Sequence, residues 1–66
     1  MKIRYNKDLD ILTIRFKEVP VAESDESKKG VILDYDENGA IVGIEILNAS
    51  TEMPHPAQLD FAVEES

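Results

Sequence analysis

Hydrophobic and polar residues alternate along most of the chain up to Leu47. The alternation has a period of two, which is typical of β-strands because successive side chains point to opposite faces of a sheet. It is clearest in residues 2–5, 11–16, 31–35 and 41–46. Residues 6–10 and 17–20 interrupt the pattern with turn-forming and charged residues. The pattern therefore predicts a small sheet of short strands.

The two strongest alternating segments flank Asn38-Gly39, a dipeptide that is typical of tight β-hairpin turns. A two-residue turn at Asn38-Gly39 predicts one face with the pairs Tyr35–Val42, Leu33–Ile44 and Val31–Ile46. The other face would pair Asp36 with Ile41, Asp34 with Gly43, and Ile32 with Glu45. A four-residue loop keeps the same faces. A three-residue loop shifts the pairing by one and mixes Ile with Glu, so burial argues against it.

The strands together predict one continuous apolar face. Its members are Ile3, Tyr5, Leu12, Ile14, Phe16, Val31, Leu33, Tyr35, Val42, Ile44 and Ile46. An antiparallel sheet with such a face has to cover it. We expect part of the cover to come from Leu59, Phe61 and Val63 in the tail, and the remainder from sheet curling or a second copy of the chain.

The remaining segments complete the predicted architecture. Residues 21–27 are extended but polar, which favours an exposed edge strand protected by charge. Residues 48–52 predict one helical turn, with Asn48 or Ser50 as its N-cap. Residues 57–64 fit a strand or a short helix, and the alternation favours a strand. The expected fold is mainly β, a single antiparallel meander with a central hairpin and a short helical turn or extra strand at the C-terminus.

Length and composition limit the function classes. The chain of 66 residues is expected to form a single domain, 1–66, and it contains no cysteine. A domain of this size buries only about 60% of its unfolded surface, so self-association, most simply a homodimer, would help to stabilise it. The net charge of −7 disfavours nucleic acid and anionic membranes and suits a basic partner protein.

The sequence also bears on location. No apolar run approaches the length of a membrane span, and the N-terminal residues do not resemble a signal peptide. We therefore expect a cytoplasmic protein.

The hairpin segment also fits the calcium-loop pattern D-x-[DN]-x-[DN]-G-x₅-E. Asp34, Asp36, Asn38 and Glu45 would supply the oxygen ligands, and Gly39 the bend. Such a loop needs flanking helices, whereas the flanks here are rich in β-branched residues and glycine. We prefer the hairpin, which places these carboxylates on a solvated sheet face, and keep a weak cation site as the alternative.

Residues that could carry out catalysis are sparse. His55, the single histidine, lies between Pro54 and Pro56 in a predicted loop, where solvation is expected. There is no cysteine nucleophile, nucleophile elbow or glycine-rich phosphate loop. Asp34 and Asp36 could share a strand face, but nothing in the sequence predicts their desolvation. We therefore expect no enzymatic activity, no catalytic residue and no cofactor.

The order of segments in residues 1–50 resembles the small bacterial DUF2283 family, sometimes called YuzE-like. The resemblance rests on MKIRYN, ILTIRF, PVAES, GVILDYDENG and IVGIEILNAS. Asn6 stands where the family often has Asp, and Thr51 and Glu52 replace basic residues expected after Ala49-Ser50. The family is uncharacterised, so the resemblance implies no activity and no catalytic residue.

Some members of the family resemble antitoxin-type partners of small toxins. Together with the acidic composition, this favours a non-enzymatic protein-interaction module that binds a small basic protein. The alternative is a weak cation- or small-ligand-binding domain that uses the hairpin carboxylates.

Overall fold

A computed structural model describes residues 1–65. Its main feature is one open antiparallel sheet of five strands, followed by a single helical turn. The predicted mainly β fold is therefore confirmed. In chain order the elements are β1 Lys2–Asn6, β2 Ile11–Arg15, β3 Glu23–Lys28, β4 Val31–Tyr35, β5 Ile41–Leu47 and α1 Ala49–Glu52.

The strand order is β1-β2-β5-β4-β3, so β5 lies at the centre and β1 and β3 form the two edges. The connection from β2 to β3 passes the closed end of the β4–β5 hairpin. On the way, Lys17 forms an ion pair with Asp36, with Nζ and Oδ2 3.0 Å apart. The predicted edge strand is confirmed in position, and it begins at Glu23 rather than at Val21.

The central hairpin confirms most of the predicted pairs. Leu33 pairs with Ile44, and Val31 pairs with Ile46. On the other face, Asp34 pairs with Gly43 and Ile32 with Glu45.

The predicted two-residue turn is wrong. The Asp36 N–H donates to the Ala40 carbonyl at 2.9 Å, and the Gly39 N–H donates to the Asp36 carbonyl at 3.0 Å, so the loop holds three residues, 37–39. Gly39 has a φ of 80°, the left-handed conformation that closes such a loop. Tyr35 then pairs with Ile41, not with Val42, and Asp36 faces Ala40, not Ile41.

A β-bulge next to the loop restores the register. Tyr35 pairs with Ile41 and Asp34 with Gly43, which leaves Val42 as an extra residue in β5. One extra residue cancels the one-residue shift that the three-residue loop introduces. Ile44 and Ile46 therefore return to the apolar face. A three-residue loop is compatible with burial of the apolar face here because the bulge compensates for the shift.

The predicted apolar face forms. The register places Ile3 opposite Ile14 and Tyr5 opposite Leu12, and β5 extends the face with Ile44, which lies between Ile14 and Leu33. Within residues 1–65, the fully buried hydrophobic side chains are only Val42 and Ala49. The other residues of the face stay half-buried or exposed, since no second layer of strands or helices lies on it.

The C-terminal segment differs from its prediction. Residues 58–65 form neither a strand nor a helix. Leu59, Phe61 and Val63 are exposed, so the expected cover from these residues is wrong. Leu59 and Phe61 instead lie beside Met1 and Ile3 at the β1 edge of the sheet.

The predicted helical turn is confirmed as α1, and its N-cap residue is Asn48. Within residues 1–65, no helix has the length and apolar character needed to cross a membrane.

Candidate functional site

The hairpin carboxylates separate into two environments. Asp36 organises the loop, because its Oδ1 accepts hydrogen bonds from the N–H groups of Asn38 and Ala40, each at 2.9 Å. The Lys17 ammonium, followed by the Ala40 N–H, holds the pKa of Asp36 below its ordinary value. The oxygens of Asp36 are thus occupied by the turn and by Lys17.

Asp34 and Glu45 meet on the opposite side of the sheet from the apolar face. We call this side the polar face; its members include Lys2, Arg4, Thr13, Arg15, Ser24, Asp34, Gly43 and Glu45. Glu45 lies two residues from Gly43, the partner of Asp34, so the two carboxyl groups are diagonal neighbours. Asp34 is only 6% exposed, and the Ser24 hydroxyl donates to its Oδ1 at 2.6 Å. The prediction of a fully solvated carboxylate face is therefore wrong for Asp34.

The neighbouring Asp34 changes the pKa of Glu45. Hydrogen bonding to Asp34 raises the pKa of Glu45 most, and burial and the charge of Asp34 raise it further. The Arg15 charge acts in the opposite direction but does not cancel these effects. The pKa of Glu45 is raised because its ionised form would place two negative charges side by side in a poorly solvated place.

The predicted cation ligands do not converge. Asp34 and Glu45 are brought together, whereas Asp36 lies at the start of the hairpin loop and Asn38 lies within it. Among residues 1–65 there is no group of three or more His, Cys, Asp or Glu side chains that could hold a metal ion. The segment 34–45 folds as a hairpin rather than as a loop between helices. His55, the predicted solvated histidine, is exposed.

Arg15 is a functional candidate that the sequence reasoning did not single out. It lies opposite Gly43 in the β2–β5 ladder, next to the carboxyl pair. Its Nη2 donates to the Val19 carbonyl at 2.8 Å, and its Nε is buried with no hydrogen-bond partner in the described structure. Its place next to Asp34 follows from the non-local pairing of β2 with β5.

Next to Arg15, the polar face holds an open depression of about 430 Å³ that we call the basic concavity. It is lined by Lys2, Arg4, Thr13, Arg15 and Glu18. Lys2 Nζ and Glu18 Oε1 lie 3.2 Å apart, and this contact is the main cause that lowers the pKa of Glu18. A concavity rich in bases is unexpected in a chain with a net charge of −7.

Asp10 connects the β1–β2 hairpin to α1. The sequence did not predict this role. Its Oδ1 accepts from the Tyr5 hydroxyl at 2.7 Å and from the Ser50 N–H at 3.0 Å, and its Oδ2 accepts from the Ser50 hydroxyl at 2.6 Å. Asn48 makes no side-chain cap bond, so Asp10 performs the capping from a distance. Ser50, followed by Tyr5, lowers the pKa of Asp10.

Comparison with known proteins identifies the family of the chain, but that family has no assigned activity. The profile of the family described as "Protein of unknown function (DUF2283)" matches residues 2–50. An uncharacterised protein of Methanocaldococcus jannaschii is 42% identical over 50 residues, which cover 76% of this chain and 42% of that protein. The chain therefore spans less than half the length of that relative. No solved structure matches the present chain. The matched segment contains all five strands, and the chain belongs to the DUF2283 family.

Proposed function

We propose that the chain is a non-enzymatic protein-interaction module that works as a homodimer, with the apolar face as its self-association surface. The observation that carries this proposal is that a sheet face of aliphatic and aromatic side chains has no second layer of strands or helices above it in residues 1–65. Most residues of this face are half-buried and Phe16 is exposed, and contiguous apolar surface of this kind is typical of interaction sites.

The exposed area agrees with this proposal. The accessible surface is 5357 Å² for a mass of 7.4 kDa. A compact monomer of that mass would expose about 4200 Å². The excess of roughly 1100 Å² is comparable with the ~800 Å² that each partner buries in a standard-size interface. The extended tail contributes to the excess, and its apolar residues at the β1 edge can join the same interface.

Sedimentation equilibrium tests the dimer when Phe16→Lys is compared with Leu9→Lys. Phe16 is 42% exposed and follows Ile14 on the apolar face, whereas Leu9 is 65% exposed in the β1–β2 turn. Phe16→Lys should weaken the dimer at least about tenfold, because it places a charge in an apolar contact. Leu9→Lys should dimerise like the unchanged chain.

Circular dichroism would show that both variants keep the sheet. A chain that stays monomeric at micromolar concentration, or equal effects of the two substitutions, would contradict the proposal.

The edge strand β3 is the surface that we propose for a basic partner protein. Every residue of Glu23–Lys28 is exposed, and its outer side has no neighbouring strand among residues 1–65. An edge strand can accept an added strand from a partner through backbone hydrogen bonds. Glu23, Asp25 and Glu26 would favour lysine or arginine side chains on that added strand. An antitoxin-type role is one form that such binding could take.

Affinity purification from the native cell tests the edge strand with a charge-reversal pair. Asp25→Lys changes β3, and Glu52→Lys makes the same change on α1, where the side chain is also exposed. The unchanged chain and Glu52→Lys should each retain one basic protein in stoichiometric amount, and Asp25→Lys should lose it. Retention of the same protein by Asp25→Lys would rule out β3 as the binding surface.

A further inference from the structure

We propose that the basic concavity binds a phosphate group, either free inorganic phosphate or the phosphate of a small metabolite. The concavity lies on the polar face, opposite the surface proposed for dimerisation. The two proposals can therefore fail separately.

The strand register concentrates positive charge at this place. Lys2 lies directly opposite Arg15, and Arg4 lies opposite Thr13. Directly opposed side chains on one sheet face are about 5 Å apart at Cβ, and like charges in such a pair destabilise the sheet. A pair that opposes folding without an evident structural gain is expected at a functional site. Glu18 compensates this repulsion only in part, and an anion held between the two cations would supply the rest.

The chain itself neutralises the concavity only in part. Lys2 pairs with Glu18, but both side chains are largely exposed, so the pair is weak. Arg4 forms no ion pair with any of residues 1–65. Three cations against the single carboxylate of Glu18 leave a surplus of two positive charges among the lining residues.

Arg15 retains most of its hydrogen-bonding capacity. Of the five N–H donors of a guanidinium, the described structure engages one, at Val19, and leaves the buried Nε without a partner. The carboxyl pair of Asp34 and Glu45 lies on the Gly43 side of Arg15, away from Lys2, and does not line the concavity.

The chemistry of these residues fits a phosphate group. Guanidinium groups bind phosphate oxygens through paired N–H donors, and the Thr13 hydroxyl adds another donor. The volume of about 430 Å³ lies within the range of small-ligand sites. A doubly charged phosphate matches the charge surplus. A nucleic-acid strand fits less well, because its other phosphates would meet a chain with a net charge of −7.

Titration of the protein with inorganic phosphate, followed by amide NMR at constant ionic strength set with chloride, tests the proposal. Saturable shifts should appear at residues 2–4 and 13–15, together with a shift of the Arg15 Nε–H signal. Arg4→Gln should weaken binding about tenfold, because it removes one charge-assisted contact. Arg4 is exposed, so the variant should keep the dispersed spectrum of the folded chain.

Lys7→Gln is the matched control, since it removes the same charge from an exposed position in the β1–β2 turn. It should bind phosphate like the unchanged chain. Shifts that do not saturate, or equal weakening by Arg4→Gln and Lys7→Gln, would show general charge screening and overturn the site. Preferential binding of a short single-stranded RNA over phosphate would replace the proposal with a nucleic-acid surface.

Discussion

Gly43 is the position where the structure predicts the sharpest effect of adding a single methyl group. A Cβ at this position would lie 2.5 Å from the Ile14 carbonyl oxygen and 3.4 Å from the Arg15 Cα. The first distance is about 0.9 Å shorter than the 3.4 Å at which ordinary contact begins. The opposing atoms are backbone, so no flexible side chain can move aside. Gly43→Ala therefore has to push β2 and β5 apart.

The size of the effect follows from two opposing contributions. Overpacking of this kind costs about 1–3 kcal/mol, and a backbone collision belongs at the upper end. Replacing Gly by Ala returns about 1 kcal/mol by restricting the unfolded chain. The expected net loss is about 2 kcal/mol, out of roughly 3–10 kcal/mol for a domain of this length. For a urea m-value of about 1 kcal/mol/M, the unfolding midpoint should fall by about 2 M.

Urea unfolding followed by far-UV circular dichroism, at one fixed protein concentration, measures this change. Gly39→Asn is the control, because nothing lies within 4 Å of an added Cβ at Gly39 and Asn tolerates the left-handed backbone there. It should change stability by no more than about 0.5 kcal/mol. If Gly43→Ala unfolds at the midpoint of the unchanged chain with the same slope, the close approach of β2 and β5 described above is incorrect.

Three further predictions use the same unfolding assay or its pH dependence. Val42→Ala should cost about 2–3 kcal/mol, because Val42 is fully buried, whereas Ile41→Ala at the exposed neighbouring position should cost less than about 1 kcal/mol; equal losses would contradict the burial of the bulge residue. The pKa of Glu45 is higher in the folded state than in the unfolded state. The unchanged chain should therefore lose stability as the pH rises from the unfolded-state pKa of Glu45 through its folded-state pKa. Glu45→Gln cannot ionise, and its melting temperature should exceed that of the unchanged chain above this window and match it at lower pH; a less stable variant at neutral pH would mean that ionised Glu45 is stabilising. The pKa of Asp10 is lower in the folded state than in the unfolded state. The stabilisation by Asp10 should therefore be complete above its unfolded-state pKa and disappear as the pH falls through its folded-state pKa. Asp10→Ala should be less stable than the unchanged chain near neutral pH and converge with it in acid; a constant difference at all pH values would exclude the ionised carboxylate as the cause.

The sequence predicted most of the strands because their alternation is a local property. Apolar and acidic side chains alternate in residues 33–35 and 44–46, and this alternation on either side of the turn led to the pairs Leu33–Ile44 and Val31–Ile46. The loop length was predicted wrongly for the same reason. Asn38-Gly39 is the local signal of a two-residue turn, whereas the bulge that makes a longer loop compatible with burial lies beyond it.

The carboxyl pair could be predicted only in part, because its environment is non-local. The pairing of Asp34 with Gly43 follows from the hairpin, but the neighbouring Arg15 comes from β2, which is distant in sequence. The strand order brings β2 beside β5, and alternation within single segments carries no information about that order. The basic concavity was missed for a related reason, since Lys2 and Arg15 become neighbours only through the β1–β2 register.

The bulge at Val42 also bears on how the hairpin can change in length. Deleting one loop residue would leave a two-residue turn between Asp36 and Ala40, and deleting Val42 would leave a ladder without a bulge. Neither deletion by itself changes the pairs from Asp34–Gly43 onward. Deleting both would leave a two-residue turn and preserve the pairs from Asp34–Gly43 onward. The loop and the bulge can therefore shorten independently, and neither change exchanges the two faces of the sheet. Related chains that are shorter by one or two residues in this region should be able to share the same sheet.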